Sequence, residues 1–359
     1  MTLFEEKPKK KRSIKRIVAW SIAGLICLPA LIFSSLPSPY LIERPGPAYD
    51  VLSTAPGTKI FNISGTKTYP TQGKLDLLTI VFNGTAYAGV SWLQVALSHL
   101  DPSVSLIPKD LVYPPDKDTS QIDQEGEVMM IDSQASAKAA ALNLLGIPFE
   151  SPVKVTAVIK NSAAEGKLKA GDTLITVNGE KTTGLEQIRK IVTESQDKKA
   201  VVFLIERAGV QKTVEITPRK DKDKYLLGIF VDNIPELPFK IDIKLDQVSG
   251  PSGGQIFALA IYDLLTPGSL LGNNHVAGTG TVDPAGNVGA IGGIKQKMYG
   301  AKDAGAQYFL APADNCDEVV GNIPDGIKVF KVATLKDSLK ALEAIKAGNV
   351  AGLSVCTTK

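Results

Sequence analysis

A turn is forced at Gly250-Pro251-Ser252-Gly253-Gly254, and a helix must follow it. Gly-Pro ends any strand before it, and Ile256, Leu259, Ala260 and Leu264 then recur at helical spacing. Ser252 is thereby expected in the first helical turn. Backbone N–H groups there lack acceptors inside the helix and face incoming negative charge. The N–H groups of Ser252 and Gly253 could therefore hold an oxyanion beside the hydroxyl.

A serine hydroxyl is a weak nucleophile until a base takes its proton. The chain holds two histidines, His99 and His275. The pentapeptide also fits the G-x-S-x-G nucleophile elbow, whose partners follow in the order serine, acid, histidine. His275 comes too soon after Ser252 for the strands and helices that fold interposes, yet an esterase or amidase using His275 stands as a rival reading. Lysine is the other candidate base, provided it is desolvated, because a solvated lysine has a pKa of about 10.4. The run Val288-Gly289-Ala290-Ile291-Gly292-Gly293-Ile294 is small and apolar and would seat the Lys295 stem in a dry place. Lys297 and Lys302 lie in charged or polar company, so the expectation falls on Lys295.

Gly250-Pro251-Ser252-Gly253-Gly254, Gly278-Thr279-Gly280-Thr281, Gly286 to Lys297, Ala304-Gly305-Ala306 and Ala311-Pro312-Ala313-Asp314-Asn315 occur in one order across about a hundred residues. In that order and spacing the chain resembles the proteolytic domain of Lon-type serine proteases. The resemblance implies Ser252 as nucleophile, Lys295 as its base and Thr279 as a hydrogen-bonding support for the lysine. It departs from the family at Ser249, where an aspartate often stands three residues before the serine. Lon-type domains often form rings, so the resemblance leaves a homo-oligomer open.

Seven basic residues between Lys7 and Arg16 precede an apolar run from Ile17 to about Leu36 that contains no charge. Its length is near the ~20 residues of a membrane-spanning helix, and the flanking charge puts the N-terminus inside and the rest outside. A cleavable signal peptide has the same layout; an uncleaved anchor is the reading adopted. The expected organisation is a basic cytoplasmic tail over 1–16, a transmembrane helix over 17–36 and a Pro/Gly-rich linker over 37–47. Residues 48–125 form an N-terminal extracytoplasmic segment that could supply first strands to the protease domain. Within it 75–82 reads as a strand, 91–100 as a short helix and 106–124 as a long loop or lid. A helix is expected over 129–145.

From Pro148 to about Thr217 the pattern changes to short strands. Val153 to Ile159 alternates, Leu168 to Asn178-Gly179 reads as turn, strand and turn, Leu185 to Val192 is an amphipathic helix, and 201–206 and 210–217 form a hairpin about Ala208-Gly209. This order resembles a PDZ domain, placed over 126–223, mostly β with one or two helices. The resemblance implies capture of peptide by strand addition. Its carboxylate loop would fall at 144–149, where no ligand residues are assigned. The Lon-type domain, an α+β fold, is placed over 238–348 and a C-terminal tail over 349–359.

Cys27 lies in the apolar run, leaving Cys316 and Cys356 as an even pair. In an oxidising compartment they are candidates for a disulfide worth about 3 to 4 kcal/mol. Neither C-x-x-C nor clustered histidine points to a metal, and no cofactor is implied. A net charge of +3 is too small to imply nucleic acid. The sequence has no G-x-x-x-x-G-K-[ST] and hence no P-loop. The chain looks similar to membrane-anchored proteins of Gram-positive bacteria that join a PDZ domain to a Lon-type domain. That similarity implies an ATP-independent serine endopeptidase at the outer face of the cytoplasmic membrane, acting on peptide or protein substrates. A non-catalytic PDZ scaffold is the second rival.

Overall fold

The structure, a computed structural model, describes residues 36–357 apart from 56, 223, 246 and 247, together with 18, 20, 21, 25 and 34. The tail at 1–16 and most of the expected span at 17–36 lie outside the described residues. Among the described residues no helix is long and apolar enough to cross a membrane.

The first strand, β1 (Tyr40–Asp50), runs through the stretch expected as a linker. Buried Leu41 and Ile42 hold it to the core, and its pairing with the third strand shifts register between Pro45 and Ala48, so the prolines fall at an irregularity. A proline inside a sheet is tolerated at such a place because no ladder hydrogen bond is lost there. Next come β2 (Phe61–Ser64), β3 (Lys74–Asn83), α1 (Trp92–Ser98) and β4 (Ser105–Pro108). The helix α2 (Thr119–Leu145) opens at Asp118 in a reciprocal capping box with Gln121 and stops at Gly146, which takes φ 67. Residues 106–124 are therefore not one long loop: they provide most of β4, a helical turn at Lys109–Val112 and the first turns of α2.

A second body follows: β5 (Val153–Val158), β6 (Thr173–Val177), α3 (Leu185–Ser195), β7 (Val201–Arg207), β8 (Val210–Ile216) and β9 (Ile229–Asn233). Its sheet runs β9-β5-β6-β7-β8. Ala208 and Gly209 at the β7–β8 turn both have positive φ, the geometry that matches the twist of a tight hairpin. Val153, Leu174, Ile188, Phe203, Ile205 and Ile216 form a core of its own. The expected bounds 126–223 need correction at both ends. The helix α2 buries Met130, Ala137, Ala141 and Leu142 in the other core, while β9 completes this sheet against β5.

The chain then returns as β10 (Lys240–Ile243), which pairs with β2, α4 (Gly254–Leu265), β11 (His275–Gly278), α5 (Ile294–Asp303), β12 (Tyr308–Pro312), β13 (Lys328–Val332) and α6 (Leu335–Lys346). A six-stranded sheet of order β13-β12-β11-β3-β1-β4 unites strands from both sides of the second body. Leu75, Leu77, Val276 and Leu310 face α4 and α2, whereas Leu78, Ala277, Phe309 and Ala311 face α5. Because helices cover both faces, β12 reads as a continuous apolar run instead of an alternating one. Full burial of a side chain such as Phe257 of α4 contributes about 1.5 to 3 kcal/mol. The tail is tied down: Cys316 and Cys356 form a disulfide, and Lys331 N donates to Ser354 O at 2.8 Å.

Candidate active site

Ser252 sits two residues ahead of α4, in the turn that leads into it, and not in the first helical turn as expected. That turn closes with Gly254 N donating to Pro251 O at 3.4 Å. Two parts of the chain pin it. From α2, Ser133 Oγ donates to Pro251 O at 3.0 Å and Gly126 O accepts from Gly250 N at 3.0 Å. The approach at Gly126 is close enough that a Cβ there would come within 3.0 Å of Ser249 Cβ. From the end of β11, Thr279 Oγ1 donates to Ser252 O at 3.0 Å and Gly280 N donates to it at 2.9 Å.

The lysine that meets Ser252 is Lys297. Its Nζ lies 2.8 Å from Ser252 Oγ and 3.1 Å from Thr279 Oγ1. Lys295, the expected base, turns away and donates to Val104 O at 3.1 Å, so that assignment is corrected. The reason is helical geometry. Gly293 caps α5 in a left-handed conformation, and Ile294, Lys297, Met298 and Ala301 then share the buried face. Lys295 is one residue, about 100°, off that face. The apolar run before Lys295 belongs to a loop, and proximity in sequence to it says nothing about which face of the following helix is dry. The spacing i, i+3, i+4, i+7 was the available signal.

Burial pushes the Lys297 amine down to about 8, against the opposing pull of the Glu43 carboxylate. Glu43, 4% exposed on β1, is itself pushed up, first by burial, with Glu318 adding to the rise and Lys297 and Lys295 opposing it. With its amide turned to satisfy both ends, Gln296 donates to Glu43 Oε2 at 3.2 Å and accepts from Ser105. At Gly293 a Cβ would come within 2.5 Å of Glu43 Oε1, so only glycine lets α5 start this close to β1.

Thr279 is 1% exposed and its hydrogen bonds have one consistent direction. Its proton goes to Ser252 O, so its oxygen is left to accept from Lys297. A neutral lysine that gives one N–H to Thr279 presents its lone pair elsewhere, and Ser252 Oγ is within reach. Among the described residues, the N–H groups of Ser252 and Gly253 donate to no protein acceptor. The site thus holds a half-buried hydroxyl, an amine of lowered basicity and two free backbone donors.

His275 is not part of this arrangement. Its Nε2 pairs with Asp76 Oδ2 at 2.6 Å, at the start of β11, whereas Thr279 follows the end of that strand. The His275 esterase reading therefore lacks its contact. Residues 144–149, where a carboxylate loop was sought, are the end and C-cap of α2 and the chain leaving it. Instead, Gly228 takes φ 77 immediately before β9, an edge strand that carries exposed Phe230 and follows exposed Leu226.

Residues 247–344 match the Lon protease (S16) C-terminal proteolytic domain, and residues 154–207 match the PDZ domain. A Lon protease of Campylobacter concisus is 31% identical over 145 residues, covering 39% of this chain and 18% of that protein. Lon protease 1 of Borreliella burgdorferi is 33% identical over 96 residues, covering 26% of this chain and 12% of that protein. The chain thus spans less than a fifth of the length of these relatives. The PDZ domain of an SdrC-like protein from Listeria innocua is 18% identical, with a TM-score of 0.21, covering 22% of this chain and 92% of that one. The chain thus carries one region that matches a Lon-type proteolytic domain and one that matches a PDZ domain, within a mixed α+β fold.

Proposed function

We propose that the protein is an ATP-independent serine endopeptidase, anchored in the cytoplasmic membrane by residues 17–36, that cleaves extracytoplasmic peptides or flexible protein segments. The observation that carries the reading is the 2.8 Å contact between the buried Lys297 Nζ and the half-buried Ser252 Oγ. With its pKa near 8, about a tenth of Lys297 is neutral at pH 7, against a negligible share for a solvated lysine. Neutral Lys297 takes the Ser252 proton as the hydroxyl attacks a peptide carbonyl, and the backbone donors of Ser252 and Gly253 meet the oxyanion. Lysinium then protonates the leaving amine, and water hydrolyses the acyl-enzyme.

Several features support the finer parts. The 359 residues contain no P-loop, which favours substrates that are already unfolded. The uncharged run after a basic cluster supports the anchor and its orientation, and the Cys316–Cys356 disulfide suits an oxidising compartment. The PDZ unit takes extended peptide along the open edge of β9 by strand addition.

The test is labelling by a fluorophosphonate probe together with hydrolysis of a peptide library. Wild type and Lys295→Ala are expected to label and cleave, whereas Ser252→Ala and Lys297→Ala do neither while still melting cooperatively as folded proteins. Loss of activity in Lys295→Ala with retention in Lys297→Ala would reverse the assignment. A folded wild type that never labels would favour the PDZ scaffold.

A further inference from the structure

We infer that Ser133, on α2 and outside the stretch that matches the proteolytic family, is a positioning residue that sets the oxyanion site. The inference rests on the endopeptidase reading and adds a residue to it. A trans peptide unit is planar, with its C=O and N–H pointing in opposite directions. Fixing the carbonyl therefore aims the amide.

The two peptide units on either side of Ser252 are both fixed in this way. In the first, Ser133 Oγ holds Pro251 O at 3.0 Å, so the Ser252 N–H faces away from α2. In the second, Thr279 Oγ1 and Gly280 N hold Ser252 O, so the Gly253 N–H faces away from the end of β11. Neither N–H has an acceptor among the described residues; the Gly253 N–H is the N-cap donor of α4, and the Ser252 N–H lies one residue ahead of it in the turn.

Ser133 has few alternatives to this contact. It is 6% exposed, and its hydroxyl is so close to α4 that a Cβ at Gly254 would lie 3.1 Å from it. Pro251 O also accepts from Gly254 N, but at 3.4 Å, the longer of its two hydrogen bonds. Without Ser133 the first peptide unit is held mainly by that weaker bond and can rotate. An oxyanion donor that must be re-aimed in each turnover loses the advantage of a preorganised site.

The experiment compares wild type, Ser133→Ala and Ser133→Thr in the full chain, using a peptide substrate, a peptide boronate that mimics the tetrahedral intermediate, and thermal melting. Ser133→Ala is expected to lower kcat by about tenfold to a hundredfold, with KM within about threefold, since an oxyanion donor acts chiefly on the transition state. Boronate affinity falls in parallel with kcat/KM, and Ser133→Thr, which keeps the hydroxyl, restores both. A Ser133→Ala enzyme with a lower melting temperature but unchanged kcat and boronate affinity would overturn the inference and leave the endopeptidase reading standing. A wild type that neither cleaves peptide nor binds boronate would overturn both.

Discussion

Replacing Lys297 by methionine tests the central physical requirement, that the amine loses its charge near neutral pH. An ordinary lysine value of 10.5 falls to about 8 in the fold. Between those values the folded state binds fewer protons than the unfolded chain, so stability rises with pH across that window. Below it both states carry the proton and the full cost of the buried charge is present. That cost is about 3 kcal/mol. Relative to Lys297→Met, which does not titrate, wild type should gain on the order of 1 kcal/mol between pH 7 and pH 9 and on the order of 2 to 3 kcal/mol by pH 10. Trp92 of α1 packs by the catalytic sheet, and the chain has one other tryptophan, Trp20. Guanidinium unfolding followed by Trp92 fluorescence therefore reports the catalytic body. Titrations other than that of Glu43, which is coupled to Lys297, cancel in the difference between the two proteins. A difference that stays flat from pH 7 to pH 10 would mean that the amine is as protonated in the fold as outside it, and a general base at that position would have to be abandoned.

Glu43→Gln removes the charge that raises the Lys297 pKa, so the rise of kcat/KM with pH should move to lower pH than in wild type; a rise displaced toward alkali would refute the coupling. Cys356→Ser opens the loop closed on Cys316 and should cost about 3 to 4 kcal/mol in guanidinium unfolding, while the folded enzyme still labels at Ser252. An unchanged unfolding midpoint would show that the tail is held by other contacts.

What was legible in the sequence divides along the range of the interactions. Period-two alternation in Val153 to Ile159, the Ala208-Gly209 turn and the strand at 75–82 depend on near neighbours, and the structure has strands or a turn at each. The serine turn is equally local. Lys297 was missed because desolvation was judged from residues adjacent in sequence, whereas a helix buries a stripe, and the stripe through Ile294, Met298 and Ala301 carries Lys297. β1 was missed because its prolines and glycine read as a linker; its partner is β3, and the bulge that accommodates the prolines exists only once they pair. The role of α2 was hidden for the same reason: Ser133 and Pro251 are 118 residues apart, and nothing near Ser133 hints at the carbonyl it holds.

The placement of the PDZ unit inside the catalytic body follows from how its two ends meet. Ile234 N donates to Pro152 O at 3.1 Å and Glu236 N donates to Glu150 O at 2.7 Å, with Lys154 and Glu236 paired at 2.8 Å. To the surrounding fold the insertion is a short closed loop, and the entropy of joining α2 to β10 barely depends on how much chain lies beyond the neck. The inserted body also buries its own core, so it asks little of its host for stability. The host depends on chain from both sides of that neck. The turn bearing Ser252 is held by Gly126 and Ser133 before the insertion and by Thr279 and Gly280 after it. The lysine comes from α5, whose buried face packs on strands from both segments, Leu78 of β3 and Ala277 of β11 among them. Neither segment alone can bring an alcohol and an amine together in a dry place, which is why residues 40–145 belong to the catalytic body even though the family match begins only at residue 247.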